Sequence, residues 1–118
     1  MKNRLLFFII LIIFGCTKKQ EQAPTTLTGD QRVFRGKSIY LSNCIACHNV
    51  NPSIDGSVGP AVSGSSLELL EARILRAQYP EAHKPKRESQ QMPAFPQLKS
   101  EIPAIHAYLN SAEVPKTN

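Results

Sequence analysis

Cysteine is scarce in this sequence, and its scarcity excludes a fold held together by disulfides. The 118 residues contain 3 cysteines, whereas a disulfide framework needs roughly four or more. Alternation of apolar and polar residues is also missing, as are internal repeats and low-complexity tracts. Neither a half-buried β-sheet nor a repeat architecture is therefore predicted.

Charge of one sign is not dominant either. The 14 lysines and arginines exceed the 9 aspartates and glutamates and give a net charge of +5, and no basic helix is interleaved with aromatic residues. The sequence therefore predicts no nucleic-acid partner. The most basic run, residues 84–87, is typical of a solvated loop. Docking of an acidic partner on Lys84, Lys86 and Arg87 is a hypothesis.

A long apolar run is lacking as well. The longest, Leu5–Phe14, falls short of the roughly 20 apolar residues that a membrane-spanning helix needs. Basic residues precede this run and Gly15 follows it, which is typical of a secretory signal. A buried helix is not indicated, because the run has no polar face. We therefore predict that residues 1–15 direct export and are removed.

The end of this signal resembles a bacterial lipobox, in which the cysteine becomes the lipid-modified first residue. Cys16 would then carry several acyl chains, which anchor a protein stably to a membrane. Residues 16–28 are polar and without periodicity, so they predict a flexible tether that reaches roughly 20 Å. A soluble secreted protein and an uncleaved N-terminal anchor are the alternatives. Each places the domain on a periplasmic or other extracytoplasmic face.

Residues 29–118 predict one all-α domain with three main helices. The first helix has Asp30 as its N-cap and runs towards the cysteine pair. The second has Ser65 as its N-cap, with Glu68 in a capping box, and ends near Tyr79. Its apolar face consists of Leu67, Leu70, Ile74 and Leu75.

The third helix follows Ser100, which can cap it, and two long loops separate the helices. Asn49–Gly64 and residues 81–97 are rich in proline, glycine or polar residues and show no periodicity. Loops of this length leave little ordinary core, and three helices of this size are marginal on their own. We therefore expect a large, flat, apolar cofactor to fill the centre of the domain.

The sequence Cys44-Ile45-Ala46-Cys47-His48 has the C-x-x-C-H pattern of covalent haem attachment. Cys44 and Cys47 lie nearly on one face of a helical turn, so both thiols can add to the vinyl groups of one porphyrin. The imidazole of His48 can then bind the iron, while its other nitrogen donates to a backbone carbonyl of the following loop.

Three other kinds of site use the same residues. A thioredoxin-like dithiol needs a βαβ setting, which the flanking sequence does not predict. A zinc site needs about four ligands, so His83 would have to join Cys44, Cys47 and His48. A plain disulfide between the two cysteines is the simplest alternative.

Met92 is the candidate for the second axial position on the iron. It is the only methionine besides Met1, and it lies in a proline-rich loop where no helix face needs it. A thioether ligand raises the reduction potential of haem iron, and Pro93 stiffens the backbone beside it. His83, from the same loop, is the rival ligand, whereas His106 is expected on the surface of the last helix.

These features together resemble the class I (monohaem, His/Met-ligated) cytochromes c, over about residues 29 to 112. Gly36 and Tyr40 match the small and aromatic positions of that family's first helix. Ile105 and Tyr108 match their partners on the last helix. The resemblance implies that Gly36 lets the two helices cross closely and that Tyr40 packs against the last one.

The resemblance extends to both faces of the haem. Gly59-Pro60-Ala61 matches the turn whose proline contacts or supports the proximal histidine, and Met92-Pro93 matches the axial methionine. It implies one haem c held covalently by Cys44 and Cys47, with His48 as the proximal ligand. Tryptophan is absent, so a tryptophan contact to a haem propionate is excluded. The candidate partners for the propionates are backbone amides, Arg73, Arg76 and Arg87.

Two axial ligands leave no open position on the iron, so the resemblance implies an electron carrier and not an enzyme. Its partners would be redox proteins that donate and accept single electrons close to the membrane. The alternatives are a haem-based small-ligand sensor, a cytochrome subunit of a larger oxidoreductase, and a haem-free Cys/His metal-binding lipoprotein.

Overall fold

The computed structural model describes residues 26–88 and 91–115. The predicted signal at residues 1–15, the anchor at Cys16 and most of the tether lie outside the described residues. Within the described ranges the chain is helical and has no strand, which confirms the predicted all-α class. The elements in chain order are α1 (Gly29–Asn43), α2 (Leu67–Arg76), a 3-10 helix (Pro96–Glu101) and α3 (Ile102–Leu109). Across those same ranges, no helix combines the length and apolar character needed to cross a membrane.

Helix α1 begins with a reciprocal capping box. The hydroxyl of Thr28 accepts a hydrogen bond from the backbone N–H of Gln31, and the Gln31 side chain accepts one from the backbone N–H of Thr28. The predicted N-cap, Asp30, is therefore wrong by two positions. Asp30 lies instead in the first turn, where a carboxylate favours the positive end of the helix dipole. Thr28 and Asp30 are both residue types that can cap a helix. Thr28 is the N-cap because Gln31 completes the reciprocal capping box with it.

Helix α2 begins one residue later than predicted. Ser66 is the N-cap and accepts from the backbone N–H of Leu69 at 3.2 Å. Ser65 is buried and donates its hydroxyl to the Val62 carbonyl, at 2.6 Å. The predicted capping box between Ser65 and Glu68 is therefore wrong, because the Ser65 hydroxyl is used by the preceding turn.

Helix α2 ends at Arg76, before the predicted end near Tyr79. Ala77 adopts a left-handed conformation with φ of 53° and donates its N–H back to the last turn of the helix. A left-handed residue at this position terminates a helix and satisfies its free carbonyls. Helical spacing alone did not reveal this end, because the left-handed position is filled by alanine and not by glycine.

Helix α3 continues directly from the 3-10 helix and has no side-chain cap. The prediction that Ser100 caps it is wrong, because Ser100 lies inside the 3-10 helix. The backbone before α3 is already helical, so the second loop ends at Phe95 and the chain enters α3 without a free first turn to cap.

Helices α1 and α3 cross closely at Gly36. A Cβ atom on Gly36 would collide with the backbone carbonyl of Ala104 and lie 2.9 Å from the Tyr108 Cβ. The rings of Tyr40 and Tyr108 are tilted at 53° with centroids 5.6 Å apart, a favourable aromatic arrangement. The crossing and the packing of Tyr40 that the resemblance implied are confirmed.

The core is formed by one face of each α-helix. Leu67 is 43% exposed, so the predicted apolar face of α2 is wrong at that first position, which lies on the solvent side of the helix. The buried apolar residues of the cluster are Tyr40, Leu70, Ile74, Ile102, Ile105, Tyr108, Leu109 and Val114. Five of these residues, Tyr40, Leu70, Ile74, Ile105 and Leu109, also line a cavity to which both long loops contribute.

Candidate functional site

A cavity of about 410 Å³ lies at the centre of the domain, and its lining is mainly apolar. All three α-helices and both long loops contribute to its wall. Leu70 and Ile74 from α2, and Ile105 and Leu109 from α3, line it with core side chains. The cavity is therefore continuous with the hydrophobic core and suits a large apolar group.

The two cysteines of the C-x-x-C-H sequence line this cavity as free thiols. Cys44 caps the C-terminus of α1 through its N–H, which donates to the Tyr40 carbonyl at 2.9 Å. The N–H groups of Cys47 and His48 both donate to the Cys44 carbonyl, at 3.1 and 2.9 Å. This turn presents Cys44, Cys47 and His48 to the same cavity.

The ring of His48 is oriented by the loop that follows it. Its Nδ1 lies 2.8 Å from the carbonyl oxygen of Pro60. Because a carbonyl oxygen only accepts hydrogen bonds, Nδ1 carries the proton, and Nε2 of the neutral ring keeps a free lone pair. Gly59 packs on the ring, and a Cβ there would lie 2.5 Å from the His48 Cε1. A glycine is therefore needed at this position for the ring to lie where it does.

Tyr40 adds a contact that the sequence did not predict. Its hydroxyl donates to the carbonyl of Asn49 at 2.6 Å, and burial raises the pKa of the phenol above its ordinary value. Asn49 directly follows His48, so α1 fixes the start of the loop as well as the cysteine turn. The small and aromatic spacing in α1 indicated the ring's packing, but nothing local indicated this hydrogen bond.

Met92 and His83 both line the cavity, whereas His106 does not. Met92 is half-buried and packs against the core cluster. The His83 ring stacks on Tyr79, with centroids 5.5 Å apart and planes at 2°. The structure therefore brings both candidate ligands of the second long loop to the cavity, and His83 already has an aromatic partner there.

Arg73 is a buried cation in the cavity wall and is only 8% exposed. It donates to the Ala77 carbonyl at 2.7 Å, and its Cζ lies 4.3 Å from the centroid of the Tyr79 ring. No carboxylate among the described residues pairs with it. Of the other arginines considered, Arg76 is exposed and Arg87 pairs with Asp55 at 3.1 Å. A buried cation without a carboxylate partner needs an anion to offset its desolvation.

The rival sites are disfavoured by this geometry. No three His, Cys, Asp or Glu side chains in the described parts of the chain are close enough together to hold a metal ion, which argues against the zinc site. Burial, with a smaller effect of Cys47, raises the pKa of the Cys44 thiol to about 11. A reactive dithiol needs a lowered pKa, so Cys44 is not activated as in a thioredoxin-like site.

The chemistry of the cavity wall fits a haem. The apolar side chains suit the porphyrin ring, and the two thiols suit its vinyl groups. The free Nε2 of His48 suits the iron, and the buried Arg73 suits a haem carboxylate. Each of these groups faces the same cavity.

Comparison with known proteins agrees with this interpretation. The family model described as Cytochrome c matches residues 33–113 of the chain. Neither the curated proteins nor the solved structures include one that matches. The family match spans well over half of the chain and includes the cysteine turn, His48, Pro60 and Met92. The chain therefore belongs to the cytochrome c family, whose members carry a covalently attached c-type haem and transfer electrons.

Proposed function

We propose that this protein is a monohaem electron carrier in which His48 and Met92 are the axial ligands of the iron. Cys44 and Cys47 hold the haem through thioether bonds. The observation that carries the proposal is the hydrogen bond from His48 Nδ1 to the Pro60 carbonyl. It leaves Nε2 free to bind the iron, at a cavity that also receives both thiols and Met92.

The bound haem supplies a metal centre that gains and loses one electron. The protein controls that centre through residues already in position. The Pro60 carbonyl fixes the tautomer of His48 and makes its Nε2 a stronger ligand. As a ligand, the soft sulfur of Met92 would favour the reduced iron and raise its reduction potential. The apolar wall from α2 and α3 excludes water, so the surroundings reorganise little when the charge changes.

Arg73 is proposed to pair with a haem carboxylate. The guanidinium is buried and has no carboxylate partner among residues 26–88 and 91–115. Its position is fixed from two directions by Tyr79 and the Ala77 carbonyl. An anion brought in with the ring would offset the cost of burying this charge. Arg76 and Arg87 are less suitable, since one is exposed and the other is already paired.

The proposed setting is the outer face of a membrane. The signal-like residues 1–15 and the lipobox-like Cys16 support export and lipid anchoring, and residues 16–28 would act as the tether. A tethered domain meets membrane redox proteins at a raised effective concentration without a tight interface. The donor and the acceptor would therefore be redox proteins of that membrane.

The ligands are tested by absorption spectroscopy of the exported holoprotein. We expect a c-type reduced spectrum and a weak near-infrared band from sulfur bound to ferric iron. Met92→Ala should lose that band and keep the covalent haem, because the thioether bonds do not involve Met92. His83→Ala is the matched control from the same loop and should keep the band.

Each alternative result has a separate meaning. A wild-type band that survives in Met92→Ala would contradict methionine ligation. A band that is missing from the wild type and a spectrum altered in His83→Ala would assign the sixth position to His83. Absence of covalent haem in the wild type would overturn the carrier itself.

A further inference from the structure

The basic segment of the second long loop is bound to the first long loop. Lys86 donates from its Nζ to the Ala61 carbonyl at 2.8 Å. Arg87 donates from Nη1 to the Val58 carbonyl at 3.1 Å and pairs through Nη2 with Asp55, also at 3.1 Å. The prediction of a solvated loop is therefore incomplete. Of Lys84, Lys86 and Arg87, only Lys84 has neither a hydrogen bond nor an ion pair within the described ranges.

These contacts bracket the turn that holds His48. Val58 and Ala61 are the residues on either side of Gly59 and Pro60. Arg87 therefore holds the residue before this Gly59–Pro60 turn, and Lys86 holds the residue after it. The carboxylate of Asp55 closes the arrangement, since its other oxygen accepts the N–H of Ala61 at 2.7 Å.

The same segment leads to Met92. The connection between α2 and the 3-10 helix, described at residues 77–88 and 91–95 and here named the Met92 loop, contains Lys86, Arg87 and the proposed sixth ligand. One set of contacts thus joins the loop that orients the fifth ligand to the loop that supplies the sixth.

The guanidinium is suited to this junction. The side chain of Arg87 is 31% exposed and that of Asp55 is 61% exposed, so the ion pair by itself contributes little in water. The guanidinium of Arg87 contributes through its geometry, because this planar group can bind a carboxylate and a carbonyl at the same time. A lysine, a single point donor, cannot hold both acceptors with the same fixed directions.

We propose that Arg87 is a positioning residue that clamps the Met92 loop onto the Gly59–Pro60 turn. Holding this loop down keeps the sulfur of Met92 on the iron and closes the sixth position to external ligands. The inference rests on the proposed function, since it presupposes the His48/Met92 pair. It also assigns the basic segment an internal role in place of the hypothesis that an acidic partner docks there.

The test measures imidazole binding to the ferric holoprotein by absorption. An external ligand binds only when Met92 has left the iron, so its apparent affinity scales with the open fraction. We expect Arg87→Gln to raise the apparent affinity for imidazole about tenfold and Arg87→Lys to give an intermediate value. Lys84→Gln removes a charge from the same segment without touching the clamp and should bind imidazole like the wild type.

The rate of amide hydrogen exchange at Ala61 measures the stability of the clamp independently of ligand binding to the iron, because the Ala61 N–H donates to Asp55. This N–H should exchange faster in Arg87→Gln, because Asp55 is then no longer fixed by the guanidinium. If Arg87→Gln yields no folded protein, Asp55→Asn replaces it in the test. We expect Asp55→Asn also to raise the apparent affinity for imidazole and to speed the exchange of the Ala61 N–H.

The two proposals fail in different ways. A wild type without haem or without the near-infrared sulfur band refutes the proposed function. A wild type with both features, together with unchanged imidazole affinity and unchanged Ala61 exchange in Arg87→Gln, refutes the clamp. An equal rise of affinity in Lys84→Gln would also refute it, because net charge would then explain the effect.

Discussion

The contacts of His48 depend on individual residues of the loop that follows it. Pro60 offers a carbonyl whose position is restrained by the proline ring, and Gly59 leaves room for the face of the imidazole. The resemblance to class I cytochromes c indicated this turn, since its proline has a known position relative to the cysteines. Arg73 was one of three arginines considered besides backbone amides. Its burial could not be predicted from the sequence, because burial depends on how α2 rotates against the other helices.

The contacts of Asp55 could not be predicted from the sequence at all. Its side-chain partners Ala61 and Arg87 come from two irregular loops, where no periodicity relates one position to another. Contacts between two loops can be identified only when the structure of both loops is known. The sequence showed a basic run, and the structure shows what two of its members bind.

The titration of Asp55 makes this contact measurable. Its pKa is lowered from the ordinary value by the N–H of Ala61 and by the Arg87 guanidinium. The Asp55 carboxyl therefore binds a proton more tightly in the unfolded chain than in the folded one. The contacts of the ionised carboxylate stabilise the fold above the unfolded pKa of about 3.8, and this stabilisation is lost as pH falls through the folded pKa.

We expect the wild-type holoprotein to have a higher free energy of unfolding than Asp55→Asn at neutral pH. The difference should stay constant down to about pH 4 and shrink below it. Chemical denaturation at a series of pH values measures it, and the other carboxylates titrate alike in both proteins. A difference that grows on acidification would contradict the assignment.

At the scale of the elements, the crossing of α1 and α3 was the most predictable part of the fold. Gly36, Tyr40, Ile105 and Tyr108 stand at positions that the family resemblance identifies, and helical spacing places them on facing surfaces. The ends of the helices were less predictable. Two possible capping residues lie within two positions of each other at both α1 and α2, and a 3-10 helix removes the need for a cap at α3.

Gly36→Ala tests the crossing. The added methyl group would collide with the Ala104 carbonyl, and backbone cannot yield as a flexible side chain does. We expect a loss of about 1–3 kcal/mol in the free energy of unfolding, the usual cost of overpacking, measured by denaturation of the holoprotein.

Gly29→Ala is the matched control on the same helix. A Cβ at Gly29 meets nothing within 4 Å, so the substitution should not destabilise the protein, and alanine also has the higher helix propensity. Equal losses in the two variants would show that helix conformation, and not the contact with α3, determines the effect of Gly36→Ala.

At the scale of the whole molecule, the domain is one part of a proposed larger arrangement with an anchor and a tether. The cavity, the cysteine turn and the family match all fall after residue 28. Cys16, the predicted lipid attachment point, lies before that stretch in the sequence. That separation makes the anchor testable without disturbing the haem.

Cys16→Ser should move the haem protein from the membrane fraction to the soluble extracytoplasmic fraction, because the acyl chains would have no attachment point. Fractionation of expressing cells followed by haem staining measures the distribution. The adjacent Thr17→Ser is the control and should remain with the membrane. A Cys16→Ser protein that stays membrane-bound in the wild-type proportion would contradict lipid anchoring.

The contact between α1 and α3 also has a consequence for the order in which the domain folds. It joins the two ends of the domain, so it closes nearly the whole intervening chain into one loop and cannot form until α3 is available. In a chain that leaves the cytoplasm N-terminus first, the cysteine turn emerges while α3 is still behind. The thiols of such a chain would be reachable before the helix crossing encloses the cavity, so haem attachment could precede closure of the core by α3.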